Sequence, residues 1–421
     1  MSKAKVFIVL IIFAVTSILT ACVGDRSSTE EGTKELEFFH RFTESPDKEY
    51  FEGAVERFEE EHDDIKIKIS SAVNEDYKQK INVRMSNEEP PDIFFTWAGE
   101  YSDKFSRNSR ALNLSEYLDK DSNLEEQIID TQLEPYKYDN NIYGIPIVMD
   151  GKAFFYNKDV FDDLGLDEPD TWDEFLDVLR ELKDEEITPI SFGNQDDWAA
   201  GHYLTTLNQR MVDPDTLEKD YNPDAESEFS DPGYEEALDK LLDLDPYFTD
   251  DPNAVTDDQA INAFVNGEAA IYYNQFNQYP FIEEAEHDIG WFNFPKIEDG
   301  KGNQEALTGS PQGFMVSSNT DYPDEAIEFL EFLTSPEEAQ KMVDETGMIS
   351  SSIDGIPNEE NEVLKKFVET IEDASEINIW LDSAMDSELA SIYQKEAQKM
   401  LGGEESPDEV MEKIQNEAKK K

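Results

Sequence analysis

The stretch Tyr143–Leu182, YGIPIVMDGKAFFYNKDVFDDLGLDEPDTWDEFLDVLREL, organises the reading of the chain. Its first part, Ile145 to Tyr156, is apolar and rich in β-branched and aromatic residues, with one acid, Asp150, and one lysine, Lys152. That pattern predicts one or two buried strands with a charge at their junction. The second part predicts a helix. Thr171 and Glu174 have capping-box spacing, so each side chain can satisfy a backbone donor of the first turn. Trp172, Phe175, Leu176, Leu179 and Leu182 then form one apolar stripe at helical spacing. Asp150 is the anomaly, because a carboxylate inside an apolar strand pair is costly unless it is paired or faces a water-filled cleft. It is either a candidate ligand contact or a partly exposed loop acid.

On the N-terminal side, Leu36 to Phe39 predicts a strand, Tyr50 to Glu61 a helix with Phe51, Val55 and Phe58 on one side, and Ile65, Ile67 and Ile69 an alternating strand. This βαβ opening calls for a parallel sheet covered by helices. A helix from Tyr77 to Met85 leads to Pro91-Asp92-Ile93-Phe94-Phe95, a short buried strand with Thr96-Trp97-Ala98-Gly99-Glu100 at its carboxyl end. Ligands of open α/β sheets sit at that end, which makes Trp97 and Glu100 candidates. On the C-terminal side, Ile190 to Gly193 predicts a strand followed by the polar loop Asn194-Gln195-Asp196-Asp197-Trp198, and residues 213–232 read as surface loop. Gln259 to Val265 predicts a helix, Ala269 to Tyr273 a strand, and GSPQGFMVS (Gly309–Ser317) a strand that crosses between domains. Later helices start at Ala326, Pro336 and Pro407, the last two with Ser335 and Ser406 as caps and Glu338 and Glu409 three residues on. There is no internal repeat.

The length, 421 residues, suits two or three domains, and 26 Phe, 17 Tyr and 5 Trp exclude a disordered chain. A net charge of −63 repels phosphate backbones, so nucleic acid is not an expected partner. Lys3 and Lys5 precede an apolar run from Val6 to Leu19, too short to span a bilayer but suited to a secretory signal over residues 1–21. Leu19-Thr20-Ala21-Cys22 resembles a bacterial lipobox, which makes Cys22 the expected lipidation site and the first residue of the mature chain. As the single cysteine, it leaves no intrachain disulfide. Residues 22–34 then form a polar tether. Loss of two lysines and no acid takes the mature charge to −65. Salt outside the cell would screen such self-repulsion, with a Debye length of roughly 3 Å at 1 M, so a saline or alkaline habitat is a hypothesis. Growth of the source organism only in dilute neutral medium would count against it.

His40, His62, His202 and His287 share no metal-ligand spacing, and HExxH, Walker A and GxSxG patterns are missing. With 98 acidic residues, carboxylate pairs occur everywhere and identify no glycosidase. Tyr272-Tyr273 could supply phenolates to iron, but strand alternation sends them to opposite faces. What remains is aromatic residues on loops beside polar side chains: Trp97, Trp198, Phe276 and Trp380. A sugar ring has an apolar face for stacking and a hydroxyl rim for hydrogen bonds, so flat aromatics beside Asp, Glu, Asn and Arg suit a carbohydrate.

The chain resembles the family-1 extracellular solute-binding proteins, lipoprotein receptors of carbohydrate importers of the ATP-binding-cassette (ABC) type. PPDIFFTWAG (90–99), YGIPIVMDGKAFFYNKDVF (143–161), TWDEF (171–175), AFVNGEAAIYYN (263–274), DEAIEFLEFLTSPEEAQ (324–340) and GGEESPDEVMEKIQ (402–415) carry the resemblance, in order, across residues 35–418. It implies an α/β, two-lobed type II periplasmic-binding-protein-like fold, each lobe a mainly parallel sheet flanked by helices, with a hinge between. Lobe 1 would hold residues 35–147 and 314–370, and lobe 2 residues 152–310 and 376–421. Crossings fall near Ile147–Gly151, near Pro311–Phe314 and around 370–376. The resemblance places ligand contacts at Asp150, Trp97 and Glu100, and at His40 or Arg41. After the strand Ala269–Tyr273 the family often has Gly-x-Trp, and here Gln275-Phe276-Asn277 stands instead, so Phe276 and Asn277 take that place. Trp198 and Trp380 complete the set. FGNQDDW (192–198) leans toward receptors for raffinose-like, α-linked oligosaccharides. The function implied is a lipid-anchored, monomeric, non-enzymatic receptor at the outer face of the cell membrane. It would need no cofactor or metal, and would deliver an oligosaccharide to a membrane permease. A secreted carbohydrate-active enzyme and a receptor for iron or another small solute are the alternatives.

Overall fold

A computed structural model describes residues 33–420 apart from 88, 119–123, 224, 354, 356–360 and 375–376. The expected signal segment and Cys22 lie outside the described residues, and the tether ends one residue early because Lys34 already belongs to a strand. Among the described residues the strands build two six-stranded sheets and one short hairpin.

The first sheet runs, in spatial order, Ile349–Ser350, Gly144–Met149, Gln312–Val316, Ile93–Trp97, Lys34–His40, Ile65–Ser71. The βαβ opening produces its parallel half, in which Phe38 pairs with Ile69 on one side and Ile93 on the other. Phe38, Phe51, Phe314 and Phe329 meet edge to face in its core, with Phe38 ring centroids 4.8 to 6.1 Å from the others. The second sheet runs Ile377–Asn378, Leu307–Thr308, Lys152–Asn157, Ala269–Gln275, Thr188–Ser191, with Ile289–Phe292 also on Lys152–Asn157. Phe154 stacks on Tyr273 at 4.4 Å and on Phe292 at 5.4 Å in its core.

Both sheets are mixed, not mainly parallel as expected. In the first, Gln312–Val316 is antiparallel to both neighbours and Ile349–Ser350 is antiparallel to Gly144–Met149. In the second, Lys152–Asn157 is antiparallel to all three of its partners. Parallel pairing needs a crossover that returns the chain to the same end, usually through a helix. Strands delivered by a passage between the sheets arrive at the other end instead.

The chain leaves the first sheet at Met149 and enters the second at Lys152, with Asp150 between. It returns between Thr308 and Gln312. A register shift between Gln312 and Gly313 bends the returning strand beside Val148, and such an irregularity re-aims a side chain. Gly313 is required there, since a Cβ would stand 2.1 Å from the Ile145 carbonyl oxygen. The third passage comes earlier than 370–376. Ile349–Ser350 still pairs in the first sheet, but the helix Glu362–Asp373 packs on the second, where Phe367 stacks on Phe276 and Trp291 Nε1 donates to the Val363 carbonyl. Its Leu364, Phe367 and Ile371 share one helical face, and the second sheet supplies the aromatic surface that covers it.

The helix Trp172–Asp184 has its predicted capping box: Glu174 N donates to Thr171 Oγ1, and Thr171 N to Glu174 Oε2. Val178 is buried on the core face, whereas Leu176 is only partly covered. Residues 213–232 are not all loop. Asp213 caps a helix over Pro214–Tyr221 with Pro214 at its first position, and Tyr221 turns its hydroxyl to accept from Asn208 Nδ2. The Asp-Pro pair was a start signal that the surrounding acid and proline content obscured.

Candidate functional site

A cavity of about 400 Å³ lies between the two sheets. Arg41 and Trp97 reach it from the carboxyl ends of the first-sheet strands Lys34–His40 and Ile93–Trp97, the end at which α/β sheets place ligands. Gln275 at the end of Ala269–Gln275, Asn277, Trp198 and His202 of the helix Trp198–Met211, and Asp257 at the start of Asp257–Val265 reach it from the second. Trp380 and Asp382, on the returning C-terminal segment, complete the wall. The cavity shares Arg41, Asn277 and Gln312 with a chamber of about 320 Å³ and Lys78, Trp198 and Asp382 with another of about 370 Å³. Through these shared residues the three chambers adjoin as one groove.

A larger cavity, about 690 Å³, lies between Glu100, Asp103 and Arg107 and the helix Pro214–Tyr221. No tryptophan lines it. The 400 Å³ cavity has three, from the first sheet, the helix Trp198–Met211 and the returning segment, together with buried polar groups. Apolar walls with a few convergent polar atoms mark a ligand site better than volume does.

The aromatic wall is layered. The His202 imidazole stacks on Trp380, with centroids 4.6 Å apart, and leans on Trp198 at 4.9 Å. Opposite, Trp97 is held edge-on by Phe95 at 4.8 Å and Tyr101 at 5.1 Å, with Lys78 Nζ 5.2 Å from its ring. Lys78 also pairs with Asp382 across the groove at 3.5 Å. Two wall atoms, Trp380 Nε1 and Asn277 Oδ1, are buried without a protein partner.

Charges sit beneath the wall. Asp150 is fully buried. Its Oδ1 accepts from Gly151 N at 2.9 Å and Asn277 N at 3.3 Å, and its Oδ2 accepts from Gln275 Nε2 and Gln312 Nε2, both at 3.1 Å. Burial pushes its pKa up to about 7 against those donors and the nearby Arg41. Gln312 Oε1 in turn accepts from Arg41 Nη2 at 2.6 Å and Nε at 3.2 Å. Arg41, Gln312, Asp150 and Gln275 thus form a polar chain from the first sheet, through the junction, to the second. Lys152, two residues on, is almost fully buried, with Nζ 2.7 Å from His202 Nδ1 and 4.7 Å from the Tyr273 ring centroid. Burial lowers its pKa to about 7, opposed by Asp257 and Asp150. Burial, and then the Lys152 charge, hold the His202 pKa well below its ordinary value.

Of the residues expected at the site, the structure brings Arg41, Trp97, Trp198, Asn277 and Trp380 to one cavity. His40 is in the first-sheet core instead, its ring 4.9 Å from Phe38 and 5.4 Å from Phe51, because strand alternation turns it inward where Arg41 is turned out. Glu100 pairs with Arg107 on the wall of the larger cavity, carried there by the first turn of the helix Glu100–Arg107. Phe276 is core, stacked on Phe367 at 3.6 Å. Asp150 lies under the wall rather than in it. Lys78, His202, Asp257, Gln275 and Gln312 were not foreseen. The helix Trp198–Met211 is buried nearly all round, yet it carries His202, Thr205, Thr206 and Gln209 on one side, and that polar stripe was the available signal. Tyr272 and Tyr273 do face opposite cores, their hydroxyls hydrogen-bonded to Asp257 and Thr206. Among the described residues no group of three His, Cys, Asp or Glu could hold a metal ion, and no helix is long and apolar enough to cross a membrane.

Residues 43–340 match the family of bacterial extracellular solute-binding proteins. The chain is 23% identical over 378 residues to the multiple sugar-binding protein of Streptococcus mutans, covering 86% of this chain and 85% of that protein. It is 26% identical over 285 residues to an uncharacterised ABC transporter extracellular-binding protein of Pyrococcus horikoshii, spanning 64% of each. Among solved structures, a chitin oligosaccharide binding protein superposes with a TM-score of 0.83 at 23% identity, over 92% of this chain and 98% of that one.

Proposed function

We propose that this chain, which belongs to the bacterial extracellular solute-binding protein family, captures a neutral oligosaccharide in the groove between its two sheets and hands it to the permease of an ABC importer. The observation that carries the proposal is the convergence of Trp97, Trp198 and Trp380, from three separate chain segments, on one groove with carboxamides and carboxylates between them. Flat faces beside hydrogen-bonding groups match the two surfaces of a sugar ring. Linked chambers suit several rings better than one. The sugar-binding relative and neighbour support the same class of ligand.

In this reading the ligand bridges the sheets and closes the hinge, and the closed form is what the permease recognises. The mature protein is held at the outer face of the membrane by a lipid on Cys22 and works as a monomer. A thermal-shift screen over glucose, galactose, maltotriose, raffinose, stachyose and chitotriose tests the proposal, because a ligand that binds only the folded state raises its apparent stability. At least one oligosaccharide should raise the melting temperature in proportion to the logarithm of its concentration. No shift with any of them at millimolar concentration overturns the reading.

A further inference from the structure

Resting on the oligosaccharide reading, we infer that His202 is a hydrogen-bond donor that selects the ligand's central ring, and that the buried Lys152 is the positioning residue that fixes it in the donor form. Two geometric facts carry this. Lys152 Nζ is 2.7 Å from His202 Nδ1, with both side chains buried. His202 also lines the groove, its ring against the Trp380 face.

Below its pKa of about 7 the Lys152 amine is protonated, with three N–H donors and no lone pair, so there Nδ1 must accept from it. The proton of a neutral imidazole is then confined to Nε2. Unlike His40 Nε2 and His287 Nε2, His202 Nε2 is not among the atoms sealed away without a partner. With Nδ1 taken by Lys152, Nε2 is the polar atom the ring has to offer the groove. Stacking on Trp380 fixes the ring plane and therefore the direction of that N–H. The depressed His202 pKa agrees, since the ring stays neutral at pH values where free histidine titrates. The donor is consequently single, uncharged and preorganised, and its natural partner is a ring, glycosidic or hydroxyl oxygen of a sugar lying against the indoles. A fixed donor discriminates because a ligand that presents no acceptor leaves it buried and unpaired.

Two measurements test this. Two-bond 1H–15N spectra of 15N-histidine protein at pH 6, with His202→Asn used only to assign the signal, should show His202 as the Nε2–H tautomer. In Lys152→Met the same ring should become a tautomer mixture whose signals titrate upward toward ordinary histidine values, a change that a merely structural role for Lys152 would not produce. Calorimetric titration with raffinose, maltotriose and chitotriose should then show His202→Phe, which keeps the stacked ring and loses the N–H, binding the preferred probe about tenfold or more weakly. The Nδ1–H tautomer in the wild type, or unchanged affinity in a folded His202→Phe, overturns the inference and leaves the receptor reading standing. A wild type that shows the expected tautomer but no shift with any of the six sugars of the thermal screen overturns the oligosaccharide reading, and the ligand-reading role falls with it.

Discussion

Asp150→Asn separates two roles for the acid that anchors the junction between the sheets. Sequence alone suggests a direct ligand contact, in which case the substitution weakens binding and spares folding. The structure makes it a clasp. Its Oδ1 holds two backbone donors and its Oδ2 two glutamine amides. Asparagine keeps the first oxygen and replaces the second by an NH₂ that faces two more donors. Gln275 can rotate its amide to present an oxygen. Gln312 cannot do so without taking Oε1 from Arg41, which holds it at 2.6 Å. One donor–donor conflict therefore persists, and an unsatisfied buried donor costs about 1–3 kcal/mol. The comparison belongs at pH 9, above the Asp150 pKa of about 7, where the wild-type side chain is the carboxylate that accepts all four bonds; at pH 6 the protonated acid turns its own O–H toward the same donors and the difference shrinks. Urea titration is the suitable assay, since guanidinium chloride would screen the chain's −63 charge and blur the comparison. The midpoint should fall by an amount worth about 1–3 kcal/mol, with calorimetric affinity for the best sugar reduced less than tenfold. Unchanged stability with a ten- to hundredfold loss of affinity would refute the clasp and restore the direct contact.

Trp97→Ala and Trp380→Ala should each weaken oligosaccharide binding by one to two decades, since losing a stacked aromatic anchor costs about 2 kcal/mol and 1.4 kcal/mol is about tenfold; calorimetry with unchanged affinity in both would place the ligand elsewhere. Glu100→Gln should leave affinity within about twofold, because Glu100 pairs with Arg107 outside the groove, and a loss equal to that of Trp97→Ala would show that the larger cavity takes part. For Lys152 the folded pKa of about 7 lies below the unfolded value near 10.5, so between those limits the unfolded chain binds more protons and stability rises with pH, by at most about 1.4 kcal/mol per pH unit. The wild-type minus Lys152→Met difference in urea stability should therefore climb from pH 7 toward pH 10, and a flat difference would show that the lysine is not held in a desolvated site. Small-angle scattering should show a smaller radius of gyration on ligand addition, and equal values with binding confirmed separately would count against hinge closure.

The architecture was legible where one local rule acted alone. The capping box at Thr171 and Glu174, the alternation of Ile65, Ile67 and Ile69, and the capped prolines at Pro336 and Pro407 are local chemistry, and each element forms there. Strand direction was not legible, because the same apolar run serves a parallel or an antiparallel neighbour, and only the passages between sheets decide which. The site was half legible for a related reason. Aromatic type and loop position correctly brought Trp97, Trp198 and Trp380 forward, yet the same criteria brought forward Phe276, which Phe367 covers from a helix about ninety residues later in the chain. His40 and Arg41 are adjacent, equally polar in sequence, and pointed oppositely by the pleat, so their roles depended on a phase that Phe38 and Leu36 already carried: the residues in step with them are buried, and Arg41 is out of step. The polar residues that sequence passed over share one property. Lys152 and Gln312 lie on fully buried strands and His202 on a buried helix, where a polar side chain is costly unless a partner meets it, and in each case the partner comes from a distant part of the chain. Asp150 was singled out by that same argument, and its four donors show that the cost was met by the junction itself, so a buried charge in this fold points first to what holds the sheets together and only second to what the groove binds.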